Sequence, residues 1–436
     1  MESRVTPSRI AALDALRRVR QGELADRALD AAGFRLDPRD RAWTQELVLG
    51  TFRLRGRLDW LLEERVRGGV ARLEPDVLDV LRLGAYQLLE MGSVPAYAAV
   101  SQSVDLVRIA GSGGAAGLVN GVLQALRRAG TPVAPDFGAD PVGYLSGWES
   151  HPRWIVERWV ARWGADEARA LAEADNRRPG LYLRPVGLSA DAALSALEAA
   201  GIPAEALTAA PDSVRILPPG GAGEALDAVP AVVQDPAAAL VVRYAAVPAG
   251  STVIDLCAAP GGKALGMSDS ATYVAAADQS WRRMRRMREN VARLGRQPRV
   301  AAVVADARTP PFRPADAVLL DAPCTGTGTF RRHPDGRWRV QPRDLDALTA
   351  LQSELLEAAA PLVRPGGLLV YSTCSLEAEE NEGQSDAFLA RHPEFAVEPP
   401  DAGLDADLLD DAGRLVVLPQ RHGTDGAFAV RMRRAG

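Results

Sequence analysis

The chain has 436 residues, of which 47% are hydrophobic and 25% charged, with a formal net charge of −5. At roughly 150 residues per domain this length predicts two or three domains, and the composition is that of an ordinary soluble protein. Five glycines interrupt the longest uncharged run, Ile109 to Leu126, which excludes a membrane span there. The N-terminus lacks a basic-then-apolar signal pattern, so we expect a cytoplasmic protein without a membrane partner. The three cysteines suit neither a disulfide framework nor a zinc site, so we expect no metal.

The basic residues are unusual in type and in distribution. Of 51 basic residues only Lys263 is a lysine. A compact ammonium and a planar guanidinium are not equivalent in a confined site, so Lys263 is a candidate functional residue. Residues 281–299 hold eight Arg and one acid. Such a local basic face can bind a polyanion despite the negative total charge, and a solvated helix face is the alternative interpretation.

Residues 1–130 are predicted to be entirely helical. Apolar residues recur at helical spacing in several segments, which short joints containing Gly or Pro separate. The segments are 10–19, 38–64 with an interruption at Gly56, 75–91, 96–109 and 117–128. Neither Cys nor His occurs before His151. The region is therefore predicted to dock RNA or protein, with a purely structural appendage as the alternative.

A linker over residues 131–141 leads to a predicted small α/β subdomain over residues 142–230. Its patterns are a helix at 152–175 with three tryptophans, a strand at 180–184, a helix at 190–200 and a strand at 213–217. Over residues 231–436 short apolar strands alternate with helices; the strands are 252–256, 273–277, 300–305, 317–320 and 367–372. This alternation predicts an α/β Rossmann-like domain, whose ligand binds at the carboxyl ends of the strands.

The first three of these strands end in residues suited to an adenosine ligand. The first runs into Cys257-Ala258-Ala259-Pro260-Gly261-Gly262-Lys263, where small residues let a ligand approach the backbone. This loop is neither a dinucleotide fingerprint nor a P-loop, so pyrophosphate is not the expected ligand. Asp278 and Asp306 follow the next two strands and can accept from ribose hydroxyls and an adenine amine. The predicted cofactor is therefore S-adenosylmethionine.

The last two strands end in Asp321-Ala322-Pro323-Cys324 and in Ser372-Thr373-Cys374. A buried cysteine is usually inert. Here all three cysteines directly follow strand ends, where the ligand is expected, so Cys324 and Cys374 are predicted to react. The loop after Cys324 is basic and aromatic, which predicts phosphate contacts and base stacking, with an incidental surface loop as the alternative. Its candidate RNA-binding residues are Arg331, Arg332, His333, Arg337 and Trp338.

Three motifs of this domain resemble those of the RNA cytosine-C5 methyltransferases. They are the loop from Asp255 to Lys263, the Asp-Ala-Pro-Cys stretch with its trailing Arg-Arg-His-Pro-Asp, and Tyr371-Ser372-Thr373-Cys374-Ser375 with Glu379-Glu380-Asn381. The resemblance implies that Cys374 is the nucleophile, that Cys324 assists release of the product, and that Asp321 joins residues 257–263, Asp278 and Asp306 around the cofactor. DNA cytosine methyltransferases attack with the Pro-Cys cysteine instead, so the presence of both cysteines indicates RNA.

The reaction that this resemblance implies explains the need for a thiol. C5 of cytosine is too electron-poor to attack a methyl sulfonium, and a thiolate that adds to C6 makes C5 nucleophilic. A base then removes the C5 proton and the thiol is expelled. Asp321 is expected to stabilise the adduct beside N3 and the exocyclic amine, and Lys263 to orient Asp321 or to lower a thiol pKa. The target base has to leave its stack to react.

The N-terminal region is similar to the NusB antitermination fold at residues 81–89 and 117–123. A NusB-like domain ahead of this catalytic domain resembles the bacterial 16S ribosomal RNA cytosine-C5 methyltransferases of the RsmB (Sun) type. The resemblance implies a monomer that acts on small-subunit ribosomal RNA, either naked or in an early assembly intermediate. The chain departs from the family pattern at 101–103, 184–186 and 425–428, which concerns the RNA site rather than the chemistry.

Three alternatives stay open at the level of sequence. They are a non-catalytic RNA-binding assembly factor that keeps a cofactor fold, a methyltransferase of small molecules or proteins, and, within RNA, a transfer RNA substrate. The fold alone fixes no substrate. The pair of cysteines disfavours the second alternative, because methylation of oxygen or nitrogen requires no covalent thiol.

Overall fold

The computed structural model describes residues 5–400 and 403–436. The chain folds into two compact units, within each of which the residues contact one another. Unit 1 comprises the chain up to Arg177 together with Phe330–Val340, and unit 2 comprises Arg178–Thr329 and Gln341–Gly436. Within the described ranges, no helix combines the length and the apolar character that a bilayer span requires.

Unit 1 is helical, as the sequence predicts for its N-terminal part. Its first ten helices are α1 (Pro7–Arg20), α2 (Ala25–Ala32), α3 (Pro38–Arg53), α4 (Arg55–Glu63), α5 (Pro75–Leu89), α6 (Ala96–Ile109), α7 (Ala116–Ala129), α8 (Pro141–Gly147), α9 (Arg153–Trp163) and α10 (Ala165–Asp175). Apolar residues at helical spacing, such as Leu13, Leu47, Leu81 and Leu123, meet in one buried core. Proline at the first position of α1, α3 and α5 fits a helix start, because the missing N–H has no partner there.

The break between α3 and α4 lies at Leu54 and not at Gly56, where the sequence predicts it. Gly56 serves packing instead. A Cβ at this position would lie 2.7 Å from the carbonyl oxygen of Ser146, so only glycine allows this approach.

The boundary between the units differs from the predicted linker at 131–141, because the helices after residue 140 pack on the N-terminal ones. The backbone N–H of Gly56 donates to Ser150 Oγ over 2.8 Å, and Arg57 Nε donates to the carbonyl of Trp148 over 2.8 Å. The rings of Trp60 and Trp148 meet edge to face with centroids 5.9 Å apart. The compact unit therefore continues to Arg177.

Unit 2 begins with a small antiparallel sheet. Its elements are β1 (Leu181–Pro185), α11 (Ala190–Ala199), β2 (Ala204–Ala206), β3 (Val214–Ile216), α12 (Ala222–Ala228) and β4 (Ala231–Val233). The strand order is β2-β3-β1-β4. The predicted strand, helix and strand of this region are found as β1, α11 and β3.

The larger sheet of unit 2 follows. The strands of this sheet and the helices between them are, in chain order, α13 (Pro236–Ala245), β5 (Thr252–Leu256), α14 (Gly262–Met267), β6 (Tyr273–Asp278), α15 (Trp281–Arg293), β7 (Val300–Val304), β8 (Ala315–Asp321), α16 (Gly336–Arg339), α17 (Pro342–Ala359), β9 (Val363–Thr373), α18 (Glu382–Arg391), β10 (Phe395–Val397), β11 (Leu415–Val417), α19 (Pro419–His422) and β12 (Ala427–Arg434). Helix α16 lies in this part of the sequence but belongs to unit 1. The strand order is β10-β12-β9-β8-β5-β6-β7, and β11 pairs with β12.

The five predicted strands are β5 to β9, and they pair in parallel. Consecutive residues of β5, Val253 and Ile254, point into two separate buried clusters, with Met284 in the first and Leu356 in the second. Both faces of the sheet are thus covered, as a Rossmann-like fold requires. The antiparallel strands β10, β11 and β12 are additions that the sequence analysis did not predict.

Residues 330–340 pack within unit 1, and this corrects the prediction that Arg337 contacts RNA. Its side chain is 0% exposed. Arg337 donates to the carbonyl oxygens of Arg53 (3.2 Å), Ser150 (3.1 Å) and Asp175 (3.2 Å) and to Asn176 Oδ1 (2.9 Å). A guanidinium enclosed by protein carbonyls presents no face to a phosphate. Arg337 is therefore a structural residue of unit 1.

The other residues of this loop differ in exposure. Trp338 is half-buried, because its Nε1 donates to the carbonyl of Phe52 over 2.7 Å and the Arg55 guanidinium lies 5.0 Å from its ring centroid. Arg331 is buried, Arg332 is half-buried and His333 is exposed. An RNA contact by Arg331, Arg332, His333 or Trp338 stays a prediction.

Replacing Arg337 by Ala is expected to lower the free energy of unfolding of unit 1 by about 3–5 kcal/mol, because it leaves the buried Asp175 carboxyl without its cationic neighbour. Urea unfolding followed by tryptophan fluorescence measures this change. Arg39→Ala, at an exposed position of α3, is the matched control and is expected to change stability by less than about 0.5 kcal/mol. Equal stability of the two variants would contradict the structural role of Arg337.

Candidate active site

The predicted cofactor loop is the turn that joins β5 to α14. Cys257 begins it with a φ of +61°, a left-handed conformation that is uncommon for a residue with a side chain. Gly261, with a φ of +99°, ends it directly before α14. A Cβ at Gly261 would lie 2.6 Å from Met287 Cγ, so glycine is required for the loop to pack against α15. The turn leaves the carboxyl end of β5 open to a ligand.

Two carboxylates follow the neighbouring strands. Asp278, at the end of β6, is 4% exposed and accepts from the backbone N–H groups of Ser280 (2.8 Å) and Ala259 (3.3 Å). Asp306, after β7, pairs with the Arg308 guanidinium over 2.6 Å. Hydrogen bonds from the Arg308 side chain and backbone lower the pKa of Asp306 to about 2. Asp306 is therefore ionised at neutral pH.

A cavity of about 490 Å³ lies at the carboxyl ends of β5 to β9. It brings together six of the residues that the sequence singled out, one or more from each strand end. These are Cys257, Asp278, Asp306, Asp321, Cys324 and Cys374. Ala258 and Ala259 are buried beside it, and Pro260, Gly261, Gly262 and Lys263 complete the loop without lining the cavity itself.

The donors and acceptors of the cavity fit the adenosyl part of S-adenosylmethionine. Its volume lies in the range of small-molecule sites. Asp278 and Asp306 accept hydrogen bonds and repel phosphate. The two arginines on its wall are engaged already, Arg283 with the carbonyl of Ala259 and Arg308 with Asp306. A cationic, phosphate-free nucleoside matches this set.

Asp321, at the end of β8, is held from two sides. Lys263 Nζ lies 2.7 Å from its Oδ2, and Ser372 Oγ donates to its Oδ1 over 2.8 Å. Burial alone would lower the pKa of Lys263, but the charge and hydrogen bond of Asp321 raise it above its ordinary value. Lys263 therefore stays an ammonium. It fixes the direction in which the Asp321 carboxylate faces.

The two predicted reactive cysteines lie side by side. β8 and β9 are parallel neighbours with Asp321 opposite Ser372, so the loops that follow them begin at the same level of the sheet. The distance between Cys324 Sγ and Cys374 Sγ is 3.4 Å. The hydrogen bond with Cys374 and burial raise the pKa of the Cys324 thiol well above its ordinary value. Cys324 therefore keeps its proton. Burial raises the pKa of Cys257 to about 12, which makes that thiol inert.

Glu380 supports the loop that carries Cys324, a role that the sequence analysis did not predict. Its carboxylate accepts from the backbone N–H of Thr325 over 2.9 Å and also from the Thr325 hydroxyl. Gln352 Nε2 donates both to Glu380 Oε1 (3.0 Å) and to the carbonyl of Pro323 (2.9 Å). Thr325 is thus bound to the Glu380 carboxylate directly, and Pro323 is linked to it through Gln352.

Asn381 supports the second cysteine loop in the same manner. Its Oδ1 accepts from Thr373 Oγ1 over 2.5 Å, and its Nδ2 donates to the carbonyl of Ser375 over 2.9 Å. These two partners flank Cys374. The sequence places Glu380 and Asn381 in a motif that resembles the family, but it gives no indication that they hold the two cysteine loops.

Comparisons with known proteins agree with this geometry. Residues 245–433 match the family model described as 16S rRNA methyltransferase RsmB/F. Residues 6–128 match the NusB family, and residues 151–221 match the ferredoxin-like domain of RsmF/B-like methyltransferases. The three matches together cover most of the chain.

Relatives and solved structures extend the likeness. The chain is 34% identical over 417 residues to a probable ribosomal RNA small subunit methyltransferase B of Bacillus subtilis, covering 92% of each chain. It is 36% identical to the ribosomal RNA small subunit methyltransferase B of Sodalis glossinidius, covering 91% of this chain and 90% of that protein. The crystal structure of PH0851 superposes with a TM-score of 0.81 at 26% identity over 99% of each chain. A methyltransferase homologue from Pyrococcus horikoshii gives a TM-score of 0.55 at 26% identity over 66% of this chain and 96% of that chain.

A site with this cofactor cavity, found in a chain with these relatives, identifies an S-adenosylmethionine-dependent methyltransferase: the chain belongs to the RsmB/F family of 16S rRNA methyltransferases.

Proposed function

We propose that the enzyme methylates C5 of a cytosine in small-subunit ribosomal RNA through a transient bond between Cys374 Sγ and C6 of the base. The names of the relatives support the RNA substrate. The observation that supports the covalent route is the 3.4 Å distance between Cys324 Sγ and Cys374 Sγ on the wall of the cofactor cavity. A pair of thiols has no part in methylating oxygen or nitrogen, whereas C5 of a pyrimidine requires a nucleophile at C6.

Cys374 is the better nucleophile of the two. Cys324 retains its proton because of the hydrogen bond to Cys374 and its burial, so Cys324 is the poorer nucleophile. The Lys263 ammonium interacts with Cys374 electrostatically and stabilises a negative charge there. Addition of the thiolate forms the bond from Sγ to C6. The C5–C6 electron pair becomes a C4–C5 double bond, and the C4–N3 pair moves onto N3, which takes a proton from solvent, so that C5 becomes nucleophilic.

The remaining residues act on the base and on the departing sulfur. Asp321, oriented by Lys263 and Ser372, contacts N3 and the exocyclic amine of the adduct. S-adenosylmethionine supplies the electrophilic methyl group. When a base such as water accepts the C5 proton, the electron pair of the C5–H bond re-forms the C5–C6 double bond and Cys374 departs as thiolate. Cys324, 3.4 Å from that sulfur, assists this release.

Cys374→Ala is expected to abolish both methyl transfer and adduct formation. Radiolabelled methyl incorporation into small-subunit ribosomal RNA, followed by nucleoside analysis for 5-methylcytidine, measures the first. RNA containing 5-fluorocytosine measures the second, because fluorine cannot leave C5 as a proton does and the protein stays bound to the RNA. Transfer RNA serves as the competing substrate. Undiminished 5-methylcytidine formation by this variant would refute the covalent route.

Cys324→Ala is expected to accumulate a covalent protein–RNA adduct on unmodified RNA, because addition proceeds while release is impaired. A denaturing gel that resolves free from RNA-bound protein measures the adduct. The double variant that also lacks Cys374 is the control and should form none. If Cys324→Ala turns over at the wild-type rate without adduct, the release role is wrong.

Glu380→Gln is expected to lower kcat about 100-fold, because a misplacement of about 1 Å at a reacting atom costs that much. The side-chain NH2 of glutamine is a donor, and where it faces the Thr325 N–H it cannot accept the hydrogen bond that Glu380 accepts. The loop that carries Cys324 would therefore shift. The KM for S-adenosylmethionine should stay unchanged, because residue 380 does not line the cavity. Glu379→Gln, at the exposed neighbouring position, is the control and should retain full kcat. A change in KM alone would contradict a positioning role.

A further inference from the structure

Helix α15 has a basic and aromatic face that the proposed reaction does not use. Six of its thirteen residues are arginines and one is a glutamate. Met284, Met287 and Val291 bury the opposite side of the helix in the core of unit 2. Trp281, at the first position, is 61% exposed. Trp281 thus presents a large aromatic surface to solvent among the arginines of this helix.

Three of these arginines have no acidic partner within the described part of the chain. They are Arg282, Arg286 and Arg288, all exposed. Two other arginines of the helix have acidic neighbours: Arg283 lies 3.6 Å from Asp278, and Arg285 lies 3.5 Å from Glu289. Unpaired guanidinium groups on one helix face create a positive potential that attracts polyanions.

The aromatic and the basic side chains are arranged along the helix. One stripe along the helix, at positions i, i+4 and i+7, consists of Trp281, Arg285 and Arg288. A second stripe beside it, at positions i and i+4, consists of Arg282 and Arg286. The Arg288 guanidinium lies 5.9 Å from the Trp281 ring centroid. An aromatic ring beside guanidinium groups is the combination by which proteins hold unpaired nucleotides.

The helix begins at the rim of the cofactor cavity. Asp278 and Gln279 line the cavity, and α15 starts two residues later. Arg283 lines the same cavity from the helix side. A base that reaches Cys374 has left its stack, so the nucleotides next to it run unpaired across the surface near this rim.

We infer that Trp281, Arg282, Arg286 and Arg288, together called the α15 face, bind a single-stranded segment of the RNA substrate next to the target cytosine. Trp281 stacks on an unpaired base, and the three guanidinium groups contact phosphates. This inference rests on the proposed RNA substrate and deepens it, because it assigns the protein surface that holds the RNA flanking the reacting base.

Two variants of the full-length protein test the α15 face. The first replaces Arg282, Arg286 and Arg288 by Gln, and the second is Trp281→Ala. The matched control replaces Arg215, Arg313 and Arg364 by Gln, which removes the same charge from other exposed positions of unit 2. Binding of a short unstructured single-stranded RNA is measured over a range of salt concentrations. KM for substrate RNA, kcat and S-adenosylmethionine affinity are measured alongside.

The triple arginine variant is expected to lower the slope of log affinity against log salt by about 2, since each contact to a single strand contributes about 0.7. Trp281→Ala is expected to weaken RNA binding about 5- to 150-fold. Both should raise the KM for RNA while kcat at saturating RNA and the affinity for S-adenosylmethionine stay unchanged. The control should keep the wild-type slope.

Two outcomes overturn the inference. One is an α15 triple variant whose salt slope and KM for RNA equal those of wild type, as a solvated face or a protein-docking face would give. The other is a loss of S-adenosylmethionine affinity that accounts for the whole effect. Adduct formation by the wild type on saturating 5-fluorocytosine RNA reports separately on the proposed function. If that adduct forms while the variants behave as wild type, only the inference about α15 fails.

Discussion

The parallel pairing of β8 with β9 determines the geometry of the reactive site. Asp321 lies opposite Ser372, and the loops that follow bring the sulfur atoms of Cys324 and Cys374 to 3.4 Å from each other. Both strands are buried, so a shift of register by one residue would exchange the side chains of the two covered faces. The separation of the two sulfur atoms thus follows from the packing of the whole sheet. Glu380 and Asn381 then fix the loop conformations locally.

The electrostatics at the end of β8 depend on the ammonium of Lys263 beside Asp321. Asp255 and Asp321 both interact with the charge of Lys263, and Asp255 is completely buried. Burial, with the nearby charge of Asp321, raises the pKa of Asp255 well above its ordinary value, which favours the neutral form of this carboxyl. The ammonium of Lys263 pairs with the carboxylate of Asp321 and balances its negative charge. A guanidinium would need more space and more partners than this position offers.

Much of this arrangement could be predicted from the sequence, because the signals were local. Short apolar runs separated by helical patterns gave β5 to β9, and residues directly after these strands had to meet at one edge. The antiparallel strands β10 and β11 escaped prediction because three residues are too few to show a period. Arg337 was misjudged because an arginine is assumed to be exposed, whereas its burial depends on carbonyls from distant helices. The role of Glu380 likewise depends on a contact with the loop after β8, 55 residues away in the sequence.

The scarcity of lysine has a practical consequence for spectroscopy. Lys263 is the one lysine of the chain, and its ammonium lies 2.7 Å from the Asp321 carboxylate at the reacting centre. Selective incorporation of nitrogen-15 lysine would therefore give a single side-chain resonance that needs no assignment. Its chemical shift and proton exchange would report on the ion pair as ligands enter, in a protein whose size makes most resonances overlap.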